Sequence, residues 1–524
     1  MAPEFARGKL MLASFLTLVA AGVGFATRTA AGGDWETAFG INGSQFGTIL
    51  GAGFLGFGVM IFFGGILVEK FGYKLLLSLA FLLHLVSAAM LFAAEPLFTG
   101  WQETDPDTAT DKVFSVLFWS TFVFSICQGL YEAVINPLIA QLYPESKTHY
   151  LNILHAGWPA GMIIGGVFAA GFIGADAWFV QIPWEFGLSS FAIIVLIYGV
   201  MALPEKFPKA AGQTAPGGLA TVFSCFASIP FLVLIVLHAM IGYMELGVDS
   251  WMAKLMENVL PNAVLVLVYT SALMFVLRFF AGPIVHKINP IGLLLTSAVI
   301  ACLGLLWLGQ PMESVWMLFL AATFYSFGKA FLWPTMLGVA GERYPHSGAI
   351  AMGALGAAGM LTVGQVGNPR IGTQQGYFMS EMVQEASPET FERYAEEEPI
   401  SKWGYEYQPI SGAKLGAANK VEIENGEVGN LDPIRNAQLI PPEEKEALLT
   451  HAAQDVPIIQ RANLGGGRQA LIKTAQLPFM MIIGFAGLLI YYTMKGGYKP
   501  VEPEPEGEEH EEAPGMGEPA PAEY

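Results

Sequence analysis

The sequence predicts an all-α membrane protein with twelve transmembrane helices arranged as two pseudo-symmetric six-helix bundles. Three observations carry this expectation. Of 524 residues, 53% are hydrophobic and only 13% charged, about half the charged share of an ordinary soluble domain. Sixty glycines suit helices that pack closely in lipid. Apolar runs long enough to cross the ~30 Å hydrocarbon core recur along the chain, and a motif in the fourth run returns in the tenth.

The runs fall at 11–29, 45–67, 73–94, 113–136, 150–173, 185–203, 228–250, 262–283, 291–309, 314–338, 348–368 and 477–494. Glu132, Asn136 and Pro137 in the fourth match Lys329, Trp333 and Pro334 in the tenth. Each set is followed by a Tyr-Pro pair, Tyr143 and Pro144 or Tyr344 and Pro345. Such a repeat is the mark of a transporter built from two halves related by an axis along the membrane normal. The expected division is 1–203 for the N-terminal bundle, 204–218 for a Pro/Gly-rich linker and 219–370 for spans seven to eleven. An insertion follows at 371–473, then span twelve at 474–496 and an acidic tail at 497–524. Helix-start signals stand inside the insertion at Ser387 and Pro388 and at Pro441 and Pro442.

Charge separates these parts. The net −18 divides into −9 on residues 501–524, −6 on 369–476 and −3 on the rest, so acidity belongs to solvated segments and no basic surface for nucleic acid exists. The Glu/Pro-rich tail is expected to be disordered. Cys127, Cys225 and Cys302 lie in apolar runs without ligand spacing, which excludes a disulfide framework and a metal site. With the N-terminus inside, eleven Lys and Arg flank the cytoplasmic ends and three the outer ends. The positive-inside rule then predicts a multi-pass protein of the cell membrane with both termini cytoplasmic.

Ionisable residues inside spans are costly and mark function by default. Glu132 is the leading candidate for proton coupling, with Lys329 at the equivalent place in the other half as its counter-charge or as an anion ligand. His238, Gly242, Glu245 and Asp249 follow helical spacing on one face of the seventh run, ahead of Trp251. His238 and Glu245 are further proton-coupling candidates, whereas Asp249 near the end reads as solvated. Arg278 and Arg28 are candidate ligands for a passenger, although an arginine at a span edge more often snorkels. Trp158 and Trp333 offer faces to stack on a passenger or simply to pack. Gly157, Gly161 and Gly165, and Gly353, Gly356 and Gly359, give narrow helix faces suited to sliding contacts or to static packing.

After the second run, Gly65, Leu67, Glu69, Lys70, Gly72 and Lys74 resemble the loop signature of the Major Facilitator Superfamily, G-x-L-x-D-R-x-G-R-K. The resemblance implies a gating loop made of Gly65, Glu69, Lys70, Gly72 and Lys74. Glu132, Asn136 and Pro137, then Glu145 and Ser146, then Leu151 and Asn152, resemble the fucose permease branch, whose pattern runs G-x-x-E-T-x-x-N-P, P-E-S, L-N-x-x-Q. His155 stands in place of the final Gln, and Trp158 where Asn is usual. Arg28 occupies the region where that branch carries a first-helix aspartate. The resemblance implies a Major Facilitator-like fold and proton and sugar handling by Glu132, with Asn136, Asn152 and His155 as hydrogen-bonding ligands.

No phosphate-binding, dinucleotide or hydrolytic motif appears, so the expectation is a non-enzymatic, monomeric transporter without cofactors, driven by an ion gradient of H+. It would move a small polar solute, such as a sugar, by symport. Two alternatives stay open: an organic-anion transporter using Lys329, Arg278 and Arg28, and a non-transporting sensor or assembly protein using the insertion and the tail.

Overall fold

The computed structural model describes residues 5–30, 35, 39, 43–173, 178–210, 223–249, 264–312, 314–424, 426–437 and 440–501. Trp251, the linker beyond residue 210 and the tail from residue 502 lie outside them. Among the described residues, eleven helices are long and apolar enough to cross a membrane. They are span 1 (Arg7–Arg28), span 2 (Gly51–Phe71), span 3 (Tyr73–Thr104), span 4 (Thr108–Leu142), span 5 (Pro144–Phe172), span 6 (Trp184–Ala202), span 7 (Ile229–Gly247), span 9 (Ala281–Leu308), span 10 (Val315–Arg343), span 11 (Pro345–Ala386) and span 12 (Pro442–Met494). A shorter apolar helix, Val266–Arg278, supplies span 8 and completes twelve.

Spans 11 and 12 outrun the apolar stretches that identify them. The span 11 helix continues to Ala386 and the span 12 helix begins at Pro442, so much of 371–473 is two polar helical extensions rather than a separate insertion. The extensions pack together because Gly466 leaves room for the Gln375 carbonyl, and Gln375 donates to Asn463 Oδ1 at 3.0 Å. They carry a cap of short helices and two hairpins, β1 (Ile400–Lys402) with β2 (Tyr405–Tyr407) and β3 (Ile423–Glu424) with β4 (Glu427–Val428). Phe391, Tyr394, Ile410, Ile434, Val456 and Ile459 form its own apolar core. Ser387 Oγ accepts from the Thr390 N–H at 3.2 Å, which fixes the helix start that the sequence signals.

Spans 1–6 and 7–12 form the two halves, which meet where span 2 packs on span 11 and span 5 on span 8. The glycine faces divide between two jobs. Gly353 and Gly356 of span 11 lie against Ile61 of span 2, across the boundary between halves. Gly157, Gly161 and Gly165 instead receive the backbone of span 1 inside the N-terminal half. A Cβ on Gly161 would stand 2.2 Å from the Val19 carbonyl oxygen, so this face is close static packing within one bundle rather than a sliding seam.

Both described chain ends lie at one face of the bundle, here the terminal face. Lys9 pairs with Glu205 at 2.9 Å. At the other end of the chain, Tyr498 Oη donates to Glu342 Oε2 at 2.6 Å and the Val501 N–H to the Glu342 carbonyl at 2.8 Å.

Candidate functional site

In span 4, Glu132 and Asn136 stand one turn apart on the same face. Asn136 Nδ2 donates to Glu132 Oε2 at 2.8 Å, and Asn136 Oδ1 lies 2.9 Å from His155 Nε2 of span 5. This short chain belongs to the N-terminal half. Arg278, at the end of span 8, joins it to the other half. Its Nη1 donates to the His155 carbonyl, its Nε to the Ala330 carbonyl at 2.9 Å, and its Nη2 meets Glu245 Oε1 at 3.4 Å.

Those two carbonyls are available for a covalent reason. The helical donor to His155 O would be the N–H of residue 159, and to Ala330 O that of residue 334. Both positions are proline, which has no N–H. Spans 5 and 10 break their hydrogen-bond ladders there, and a guanidinium with fixed, forked donors takes up the freed acceptors.

The remaining central groups come from the C-terminal half. Lys329 pairs with Asp249 and lies 5.4 Å from the centre of the Tyr325 ring, while Tyr325 Oη donates to the Met244 carbonyl at 3.2 Å. Glu245 sits in a π-helical turn, Tyr243–Gly247, a local widening found disproportionately at functional positions. The His238 ring packs at a tilt against Trp333 with centroids 4.4 Å apart. Asn152 Nδ2 donates to the Thr148 carbonyl at 2.8 Å and, across the halves, to Thr335 Oγ1 at 3.2 Å. Four buried polar atoms here have no partner among the described residues: Asn152 Oδ1, Glu245 Oε2 and both ring nitrogens of His238.

The Lys329 contact corrects the pairing expected from the repeat. Its carboxylate is Asp249, not Glu132, so Asp249 is an ion-pair member and not a solvated end residue. Arg28 is likewise no snorkelling edge residue. Only 3% exposed, its guanidinium lies 3.8 Å from the Phe124 ring centre, inside the N-terminal bundle and on other partners than the central network. Trp158 is half-buried against Phe25 at 5.7 Å, on the span 1 side.

The loop after span 2 reaches the opposite half. Glu69 Oε1 accepts from the Ala349 N–H at 2.7 Å, at the N-terminal end of the Gly348–Thr362 helix, where helix amides favour an anion. A Cβ on Gly65 would stand 2.8 Å from the Ala349 carbonyl oxygen. Gly72, at φ 82°, makes the turn that side chains with a Cβ disfavour. Lys74 Nζ donates to the Glu205 carbonyl at 3.2 Å, and Lys70 is exposed. Three further contacts close the same face: Thr148 Oγ1 to Glu342 Oε1 at 2.7 Å, Lys147 Nζ to the Gly341 carbonyl at 3.0 Å and the Gly282 N–H to His149 Nδ1 at 3.1 Å.

With the architecture in place, the comparisons decide the family. The sequence model of the Major Facilitator Superfamily matches residues 10–364. The chain belongs to the Major Facilitator Superfamily. Members of this superfamily are transporters, not enzymes. A search of curated proteins returns no match. Among solved structures, the E. coli fucose:proton symporter FucP superposes with TM-score 0.53 at 19% identity, over 70% of this chain and 90% of that one. A bacterial homologue of the human lysosomal transporter Spinster gives 0.60 at 16% identity, over 96% and 100%. The human organic anion transporter MFSD10 gives 0.56 at 13%, over 92% and 99%. At these identities the likeness is one of fold, the twelve-helix architecture, and the transporter role rests on the family match.

Sequence reasoning missed three parts of this Major Facilitator site. Asp249 was visible at helical spacing from Glu245, but its partner lies 80 residues away. Pro159 and Pro334 carried a readable signal, since each removes the donor for the carbonyl four residues before it. Thr148, Lys147 and Glu342 near the terminal face had no intramembrane charge pattern to single them out.

Proposed function

We propose that this transporter moves a small polar solute by proton-coupled alternating access, with the passenger held between the halves and Glu132 carrying the proton. The observation that carries the reading is the charge balance of the buried network. Three carboxylates, Glu132, Glu245 and Asp249, face two cations, Arg278 and Lys329. Both cations are paired with C-terminal-half acids, which leaves Glu132 with a neutral amide as its hydrogen-bond partner. Glu132 is therefore the carboxylate of the network that can exchange a proton without breaking an ion pair. Because Asn136 and His155 connect it to Arg278, loss of that proton changes the electrostatic strength of the contact between halves.

The unpartnered atoms of Asn152, Glu245 and His238 supply acceptors and donors for hydroxyl or amide groups, and Trp333 supplies an aromatic face. Sugars have this chemistry, and the fucose:proton and xylose:proton symporters among the fold neighbours make them the first class to test. The organic-anion reading is less favoured, since an anion on Arg278 or Lys329 would have to displace Glu245 or Asp249. The lysine and arginine bias of the sequence supports both termini on the cytoplasmic side of the cell membrane. Alternating access then rocks the two halves about the span 2–11 and span 5–8 contacts, each ligand shifting the balance by its differential affinity for the two forms.

The test is solute-induced pH change in proteoliposomes carrying the full chain, screened first against neutral sugars and then organic acids. Wild-type protein should alkalinise the outer medium on adding its solute, and Glu132→Gln should bind the solute yet move no protons. Proton movement that survives Glu132→Gln removes the proposal.

A further inference from the structure

Among the described residues, Arg28 is a buried cation that the transport network does not use. Arg28 donates Nη1 to the Gly24 carbonyl at 3.0 Å and Nη2 to Ser87 Oγ at 3.4 Å. Its guanidinium lies over Phe124 and 5.3 Å from the Phe191 ring centre. Among the described residues no carboxylate pairs with it, in contrast to Arg278 and Lys329, and its Nε has no partner. A guanidinium stays charged in proteins and has only donors to offer, so the bundle buries a positive charge whose aromatic neighbours compensate it incompletely.

The same two rings border a second group. His84, fully buried, lies 5.5 Å from Phe124 and 6.1 Å from Phe191, and it stacks on Tyr131 at 5.5 Å. Its Nδ1 is 2.8 Å from Tyr198 Oη. No other bond of that hydroxyl occurs among the described residues; the tautomer that satisfies it has the hydroxyl donating to Nδ1 and the ring proton on Nε2. Neither His84 Nε2 nor Tyr131 Oη has a partner. Arg28 Nε and His84 Nε2, both on groups beside Phe124 and Phe191, and Tyr131 Oη, on the ring stacked against His84, thus stand unpaired near a positive charge that no carboxylate among the described residues answers. A buried group left without a partner in a native fold points to a water or an ion. An array made of donors and one cation selects an anion over water, because only an anion also answers the charge.

We propose that this nest inside the N-terminal bundle binds a small monovalent anion of halide size, held by Arg28 with His84 and Tyr131 and separate from the passenger network. Its partners come from spans 1, 3 and 4 of one half, so the anion stays with that half while the two halves rock. It stabilises the bundle and is not itself transported.

The test is thermal unfolding of the full chain in lipid nanodiscs, with sodium chloride, bromide or acetate replacing sodium gluconate at constant ionic strength. A ligand that binds only the folded protein raises the midpoint by mass action. Chloride and bromide should raise it saturably, and Arg28→Gln should abolish the response, while Lys112→Gln, at a half-exposed cation paired with Asp105 outside the nest, keeps it. Should Arg28→Gln fail to fold, Tyr131→Phe should shift the half-saturating bromide concentration upward at least threefold. Crystals grown in bromide should also show anomalous density beside Arg28 Nε. Equal midpoints in gluconate and halide, an unaltered response in Arg28→Gln or Tyr131→Phe, or stabilisation by acetate alone would each overturn the proposal. The last outcome would assign the nest to a carboxylate group. None of these readouts involves transport, so failure here leaves the role of Glu132 untouched.

Discussion

Replacing Glu69 by Gln weakens a contact that holds the terminal face shut. The carboxylate is 1% exposed and accepts from the Ala349 N–H at 2.7 Å, joining span 2 of one half to the start of span 11 in the other. A hydrogen bond to a charged group contributes about 1.5–3 kcal/mol, roughly twice a neutral one. Gln keeps the length and an acceptor oxygen but loses the charge, so about 1–1.5 kcal/mol of the closed form's advantage should disappear. At 1.4 kcal/mol per factor of ten, the ratio of closed to open molecules should fall about tenfold. The three native cysteines are buried and leave the surface clear for labelling. Spin labels on cysteines replacing exposed Glu145 and Lys287 report the distance between halves at this face. The Glu69→Gln distribution should gain a longer component, and Lys70→Gln should not. An unchanged distribution for Glu69→Gln, or an equal gain in Lys70→Gln, would refute the gating role of this contact.

Two further outcomes follow from the buried ion pairs. Glu245→Gln leaves Arg278 without its carboxylate; breaking a buried pair costs about 3–5 kcal/mol, so the unfolding midpoint should drop clearly. Arg278→Met added to Glu245→Gln should recover part of that loss, and additive losses would show that the two side chains act independently. In the cap, Asp455 is fully buried and Arg393 Nη2 approaches it at 2.7 Å, which also holds the guanidinium above its ordinary basicity. Arg393→Gln should therefore loosen the cap and speed limited proteolysis between residues 387 and 441, and unchanged cleavage would mean the pair is dispensable. The transmembrane core should keep its protease resistance, because the cap has its own apolar cluster.

The parts of this molecule that were legible in the sequence are those governed by local composition. Hydrocarbon thickness sets the length of an apolar run, so twelve spans could be read from hydropathy. Lipid penalises charge, so Glu132, Glu245, Arg278 and Lys329 stood out as residues needing a buried reason. What hydropathy could not show is who answers whom. Lys329 is as far along its half as Glu132 is along the other, which made them look like partners. The pairing with Asp249 depends instead on how spans 7 and 10 pack, and a π-helical turn at Tyr243–Gly247 shifts the register that simple helical spacing assumes. Spans 11 and 12 show the same limit from outside the membrane, since their polar extensions are helical through packing on each other and carry no apolar signature. The prolines are the instructive exception. Pro159 and Pro334 dictate, through a missing N–H and nothing else, that His155 and Ala330 present free carbonyls. Only the fold brings one guanidinium within reach of both, one in each half. A proline in a span therefore deserves reading as a statement about the carbonyl four residues earlier, and that carbonyl as a candidate acceptor at the boundary between the halves.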